Sequence, residues 1–181
     1  MAELGSLPES VTGQVIRARF VESQASTLLV EAGMDRPPVS LARLSAFLGV
    51  QVRYDVALAA RMKAHYDPMS RTVSLARLPP DLLRFPHAHE LGHVHLRHGG
   101  WCSFAGEPSV DAVPLDEADV RPDEEGEADS FAGALLVPRR WLKERIESRT
   151  RDQLLAEFEV SLPVLLIAAM RYRLFTKLRL H

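Results

Sequence analysis

The chain has 181 residues, of which 46% are hydrophobic and 25% charged, and a formal net charge of −2. That is enough apolar matter for one packed domain, or one domain with a small appendage, and it excludes a disordered tail protein. The near-neutral balance supplies no whole-chain basic field for nucleic acid. A single cysteine, Cys102, excludes a disulfide framework and a cysteine-only zinc site.

Residues 1–9 read as a loose tail. Met1 to Ser10 has no Lys, no Arg and no apolar core, so it does not have the form of a signal peptide. Ser10 to Ala32 carries Val15, Ile16, Phe20, Val21, Leu28 and Leu29 near helical spacing, and Gly33 can end that helix. Pro37-Pro38 opens a second helix over about Val39 to Leu48, closed by Gly49. The period then changes. Val50, Val52, Tyr54 and Val56 alternate as a strand does, and Arg61–Tyr66 and Arg71–Arg77 read as two more. Asp67-Pro68-Met69-Ser70 between them has turn chemistry, which predicts a hairpin.

A helix is expected from about Leu82 to His98, with Asp81 as N-cap, Gly99-Gly100 beyond its end, and Pro86 able to begin or kink it. Residues 101–122 read as a loop with Pro108, Pro114 and Pro122. A helix resumes at Pro122-Asp123, acidic in its first turn as the helix dipole prefers, and ends near Pro138. Short helices follow over Arg139–Glu147, Arg151–Glu159 and Leu162–Leu174. The most apolar stretch, Leu162 to Met170, is far shorter than the roughly 20 residues a bilayer span needs. With a free thiol as well, a cytoplasmic protein without a membrane partner is expected.

Five of the seven histidines (His87, His89, His93, His95 and His98) fall in one short run. Within it His89-Glu90-Leu91-Gly92-His93 is an H-E-x-x-H motif. Two histidines four apart on a helix share a face and can reach one ion, while the intervening Glu can take a proton from a water that the ion activates. Chance supplies roughly 0.02 such motifs in a chain of this composition. His87 and His95 lie two residues from a motif histidine, on other faces, and are poor co-ligands; His98, at the helix C-terminus, reads as a capping or surface residue. The longer H-E-x-x-H-x-x-G-x-x-H signature fails, because Leu96 stands at the glycine and Gly99 at the third histidine.

The third ligand must come from elsewhere. Glu125-Gly126-Glu127-Ala128-Asp129 is the best source, since sites with two His and one Glu take the carboxylate from a second, packed helix. Glu125 and Asp129 share a face, so Glu125 is favoured over Glu127 as ligand, with Asp129 accepting the free N–H of a ligand histidine. Gly126, Ala128, Ala132 and Gly133 would let the two helices approach closely. Zinc is expected and manganese is possible, because two His and one Glu suit several ions.

The run from Phe85 to His93, followed by Glu125-x-Glu127-Ala128-Asp129-x-Phe131-Ala132-x-x-Leu135-Leu136-x-Pro138, resembles the ImmA/IrrE family of zinc metallopeptidases. The resemblance covers about residues 20–175. It implies an α+β, minimal zincin-like fold, with a small sheet of about three strands packed on the motif helix. It implies His89, His93 and Glu125 as metal ligands and Glu90 as general base. It also implies a protein substrate, a helix-turn-helix repressor, whose cleavage switches on stress-response or mobile-element genes. The chain departs from the family in Pro86, where Thr often follows Arg-Phe, and in a long segment between the two motifs. His65, Tyr66 and His98 are candidate oxyanion stabilisers, and the Arg71–Arg77 strand is the candidate sheet edge for substrate.

The zincin-like domain is expected over 10–138, with 139–181 a helical extension packed on it. Leu154 to Leu174 resembles half of a helix-turn-helix, with Ala156, Val160 and Ser161 at the small, apolar and N-cap positions. Direct DNA reading is not expected, because Leu162 to Ile167 would meet the bases with hydrocarbon. Two further readings stand beside the peptidase: a zincin-like partner that binds a repressor or antitoxin without cutting it, and a DNA-binding regulator.

Overall fold

A computed structural model describes residues 9–58, 62–98, 102–104 and 124–178, with side chains of 9–16 and 102–104 left aside. The expected tail, most of the expected 101–122 loop and the apolar pair Val15-Ile16 therefore lie outside what is described. Helix α1 (Glu9–Glu31) buries Val21, Ala25, Leu28 and Leu29, one face of a 3.6-residue period, and stops where Gly33 takes φ 64°. Phe20 is on the outer face, 54% exposed. Helix α2 (Leu41–Phe47) begins later than the Pro37-Pro38 signal suggests, because Ser40 caps it by accepting from the Arg43 backbone N–H.

Strands β1 (Gln51–Asp55), β2 (Ala64–Asp67), β3 (Thr72–Ala76) and β4 (Cys102–Phe104) form one mixed sheet in the order β1-β3-β2-β4. The hairpin forms as expected: β2 and β3 are antiparallel, and Asp67 holds the turn through the Met69 backbone N–H and the Ser70 hydroxyl. Two expectations change. The sheet has four strands among the described residues, because Cys102–Phe104, read as loop, pairs antiparallel with β2. The Arg71–Arg77 strand is not an edge, because β1 joins it in parallel and all five residues of β3 are buried. The outer strands are β1 and β4.

Helix α3 (Pro80–Leu96) contains the histidine motif and runs through Pro86 without a break. Its cap is Pro79 with no side-chain hydrogen bond, so Asp81 sits inside the first turn instead of capping it. Helix α4 (Glu124–Leu136) lies against α3 at very close range. A Cβ added to Gly92 would come within 3.2 Å of the Ala128 Cα and the Phe131 ring. Glycine is what allows that approach without a shift of the Ala128 backbone or the Phe131 ring, and the approach brings α4 carboxylates to α3 imidazoles.

Helices α5 (Arg139–Arg145), α6 (Arg151–Phe158) and α7 (Leu162–Arg171) follow, then a 3₁₀ turn, Phe175–Lys177. Leu142, Leu154, Phe158 and Leu165 are fully buried in the core that also takes Leu91 and Leu135. Arg171 donates to the Ser130 carbonyl on α4 at 3.1 Å, and the Tyr172 hydroxyl donates to the Val137 carbonyl at 3.1 Å. Arg84 of α3 donates to the Val39 carbonyl at 2.8 Å and pairs with Glu159 at 3.2 Å, tying α3 to the segments beside α2 and α6. A capping box at Thr150 and Gln153 starts α6. Ser161 sits at the N-cap of α7, but its hydroxyl makes no cap bond. No single described helix is long and apolar enough to cross a membrane; α6 and α7 qualify only as a pair, bent by 102°.

Candidate metal centre

His89, Glu90 and His93 project from the middle of α3, and each is buried, with 1%, 0% and 0% exposure respectively. In the first turn of α4, Glu125 reaches the same point. Its Oε2 is 3.2 Å from His89 Nε2 and its Oε1 3.6 Å from His93 Nε2. The two Nε2 atoms face each other at 3.0 Å. One ligand atom from each of His89, His93 and Glu125 falls within 4.8 Å of the others.

The donor set suits a cation. His89 Nδ1 lies 2.9 Å from Asp129 Oδ1, and a carboxylate can only accept, so Nδ1 donates to Asp129 and Nε2 is the nitrogen turned to Glu125 and His93. Burial, with His89 and His98 alongside, pushes His93 down to about 3, which favours the neutral form that can ligate. Two imidazole nitrogens and a carboxylate thus converge on one point, a donor set and spacing that suit a divalent cation.

Glu90 is the group the fold treats most harshly. Both carboxylate oxygens are buried with no hydrogen-bond partner of ordinary geometry among the described residues. Burial, and then the charge of Glu125, push its carboxyl up to about 9, while the Tyr66 backbone N–H pulls weakly the other way. A buried acid so weakly satisfied costs stability, so its retention points to chemistry.

The remaining histidines divide in a way the linear spacing does not give. His87 is a packing residue: its Nε2 is 2.9 Å from the Ser45 hydroxyl on α2, and burial, with Arg84 nearby, holds it down to about 4. His95 lies against the Phe131 ring at 5.3 Å. His98 is neither a surface nor a simple capping residue. Its Nδ1 is 2.9 Å from His93 Nδ1 and its Nε2 3.4 Å from Glu127 Oε2, so both nitrogens are engaged behind the ligand histidine. On an unbroken helix His93 and His98 would differ by about 140° around the axis. The helix ends first: Arg97 adopts φ 60°, and the chain doubles back so that the His98 N–H bonds the His93 carbonyl at 3.0 Å. Glu127 faces away from the ligand set, as its offset from Glu125 predicts, and pairs with Arg17 of α1. Of the other oxyanion candidates, Tyr66 is buried in β2 and His65 half-buried on the same strand.

Residues 48–170, more than half of the chain, match the Peptidase_M78 family, described as the IrrE N-terminal-like domain. The chain belongs to this family. The match spans all four strands and both helices of the metal centre, and it bears out the expected family and the α+β, zincin-like fold. Among solved structures the chain is similar to a Mycobacterium tuberculosis transcriptional regulator, with a TM-score of 0.57 and 22% identity over 82% of this chain. That likeness is one of fold, and this chain spans only 46% of the regulator's length. No curated relative matches.

Proposed function

We propose that the chain is a metal-dependent endopeptidase, with zinc the expected ion and manganese the alternative, that cuts a helix-turn-helix repressor in the cytoplasm and so derepresses stress-response or mobile-element genes. One observation carries the reading: a buried carboxylate, Glu90, with no hydrogen bond of ordinary geometry among the described residues, follows His89 in the helix that, with Glu125, supplies three converging ligand atoms. A merely structural metal site needs the ligands and not the acid. Family membership supports the hydrolase class, and the regulator among the structural neighbours is compatible with a partner in transcription control.

In this reading His89, His93 and Glu125 hold the ion, and Asp129 orients His89 by accepting its Nδ1–H. A bound divalent cation supplies Lewis acidity, making a water acidic near neutral pH and polarising the scissile carbonyl. Glu90 accepts the proton of that water and returns it to the leaving amine. Positive charge held by the ligands favours the ionised form of Glu90 and so opposes the effect of burial and of Glu125. The peptide is best accommodated as an added strand along β4, the outer strand beside β2 among the described residues, since the Tyr66 backbone N–H of β2 reaches the Glu90 carboxyl.

The test mixes zinc-loaded protein with the transcription factor encoded beside it. Cleavage into defined fragments by the wild type, and an intact factor with Glu90→Gln that still binds zinc, is the expected result. Equal cleavage by Glu90→Gln refutes the mechanism. A stable, uncut complex with the wild type favours the non-cleaving partner instead.

A further inference from the structure

Strand β1 is the outer strand on the side of the sheet away from β4, and its edge is regular. The Gln51 N–H bonds the Arg71 carbonyl, and a parallel ladder engages every second residue, so Gln51, Arg53 and Asp55 turn their backbone groups to β3. The N–H and C=O groups of Val52 and Tyr54 therefore point outward, where no further strand follows among the described residues. The side chains add to this. Val52 is paired with Val73 and Tyr54 with Leu75, so both stand on the sheet face that carries the core. Val73 and Leu75 are buried, but Val52 is 36% exposed, Tyr54 61%, and Val56, just past the strand, 69%. The apolar layer runs out to the rim and stops there uncovered. Charge ordinarily blunts an exposed edge; the charged residues of β1, Arg53 and Asp55, stand on the opposite face.

Two copies of this strand fit each other. An antiparallel partner related by a two-fold axis sets residues of the same face opposite one another. An axis at Arg53 would oppose Arg53 to Arg53 of the second copy, like charge to like. An axis at Tyr54 opposes Tyr54 to Tyr54, Val52 to Val56, and Arg53 to Asp55. Charge complementarity selects the second register. In it the outward N–H and C=O of Tyr54 meet those of the other Tyr54. Arg53 and Asp55 take the non-hydrogen-bonded position, where side chains lie closest. Arg53 commits only Nε, to the Ser74 hydroxyl at 2.7 Å, and Asp55 accepts from the Ala57 N–H with Oδ1 alone, at 2.8 Å. The outer guanidinium nitrogens and Asp55 Oδ2 are left for a partner among the described residues.

We propose that the β1 edge is a self-association surface, on which a second copy of this chain adds its own β1 antiparallel about an axis at Tyr54 and joins the two sheets into one. Val52, Tyr54 and Val56 of each copy then cover one another, and each Arg53 meets an Asp55. The surface is at the opposite edge from β4, so the dimer leaves both β4 edges free for substrate. It does not depend on the peptidase reading.

Sedimentation velocity on the full chain over about 1–500 µM should show a reversible dimer, with a micromolar midpoint because so short a ladder buries less than a standard interface. Arg53→Asp, and separately Asp55→Arg, sets like charges opposite each other twice per dimer and should weaken it by about tenfold or more. Mixed in equal amounts, the two variants are complementary again and should form a heterodimer as tight as the wild-type dimer. Circular dichroism checks that each variant is folded. Cross-linking tests the register without altering the charges opposed. In a Cys102→Ser background, Tyr54→Cys puts two Cα atoms about 5.5 Å apart, within disulfide reach, and should cross-link under mild oxidation well ahead of Arg53→Cys, which reports the rejected register. A wild type that stays monomeric over the whole range overturns the proposal. So do folded charge variants that remain monomeric when mixed. If either charge variant fails to fold, the cross-linking decides: Arg53→Cys ahead of Tyr54→Cys, or neither forming dimer, refutes the Tyr54-centred pairing.

Discussion

Helices α3 and α4 pack closely along each other, whereas α6 and α7, bent by 102°, touch each other little and turn their apolar faces into the core, so the two pairs bury opposite things. The first pair encloses His89, Glu90 and His93, with Gly92 against the Ala128 backbone. The second encloses Leu154, Phe158, Val164 and Leu165, and the Ser161 hydroxyl buried between its helices has no partner among the described residues. Burying polar groups costs free energy that hydrocarbon in the same place would not. The α6–α7 pair thus contributes to stability, while α3–α4 accepts an unfavourable interior for the sake of its chemistry. The helix-turn-helix likeness of the C-terminal pair is read the same way: the helices cross at 102°, but Val164 and Leu165 in the first turns of α7 are committed to the core.

Substitutions should separate the two pairs. The largest expected effect is on α3. Glu90→Gln should lower kcat/KM for the cognate regulator by about 10²–10⁴, the usual worth of a positioned general base, without lowering the thermal midpoint of the metal-free protein. Loss of stability with retained cleavage would reverse the comparison. Next is Phe158→Ala on α6, expected to cost about 3–5 kcal/mol in denaturant unfolding while leaving zinc affinity of the folded fraction unchanged. A comparable drop in zinc affinity would mean that the second pair also shapes the site.

Gly92→Ala tests the close approach itself. The added methyl must displace the Ala128 backbone or the Phe131 ring by a few tenths of an ångström. Overpacking of about 1–3 kcal/mol is partly offset by the better helix propensity of alanine, about 1 kcal/mol. Zinc affinity should fall more clearly than stability, because Glu125 and Asp129 move away with α4. Unchanged affinity would show that the site tolerates a wider separation. The smallest effect is expected at the exposed Arg140–Glu144 pair on α5, 3.0 Å apart with side chains 85% and 49% exposed. Arg140→Ala should change neither cleavage nor the thermal midpoint measurably.

Much of the site was legible in the chain. The spacing of His89 and His93 survives folding because a helix has a fixed period, and Asp129 falls one turn after Glu125 for the same reason. The helices α1, α2 and α4 to α7 appear within a few residues of their expected places. What was not legible depends on where elements stop and which ones meet. His98 read as a surface or capping residue because helical geometry was extended through it. The left-handed turn at Arg97, a non-glycine residue, carries no strong sequence signal. The three residues of β4 are too few to show alternation, and β3 looked like an edge because parallel pairing with β1 leaves no local trace.

The sequence by itself therefore determined the candidate histidine pair, the acid between them, and the acidic helix that faces them, since these follow from local periodicity. Only the tertiary structure decided that Gly92 sets the helix separation, that His98 stands behind His93, and that Arg17 reaches Glu127 across 110 residues of chain. Those contacts depend on how helices α1, α3 and α4 pack, a long-range balance of burial and close approach that no short window of residues contains.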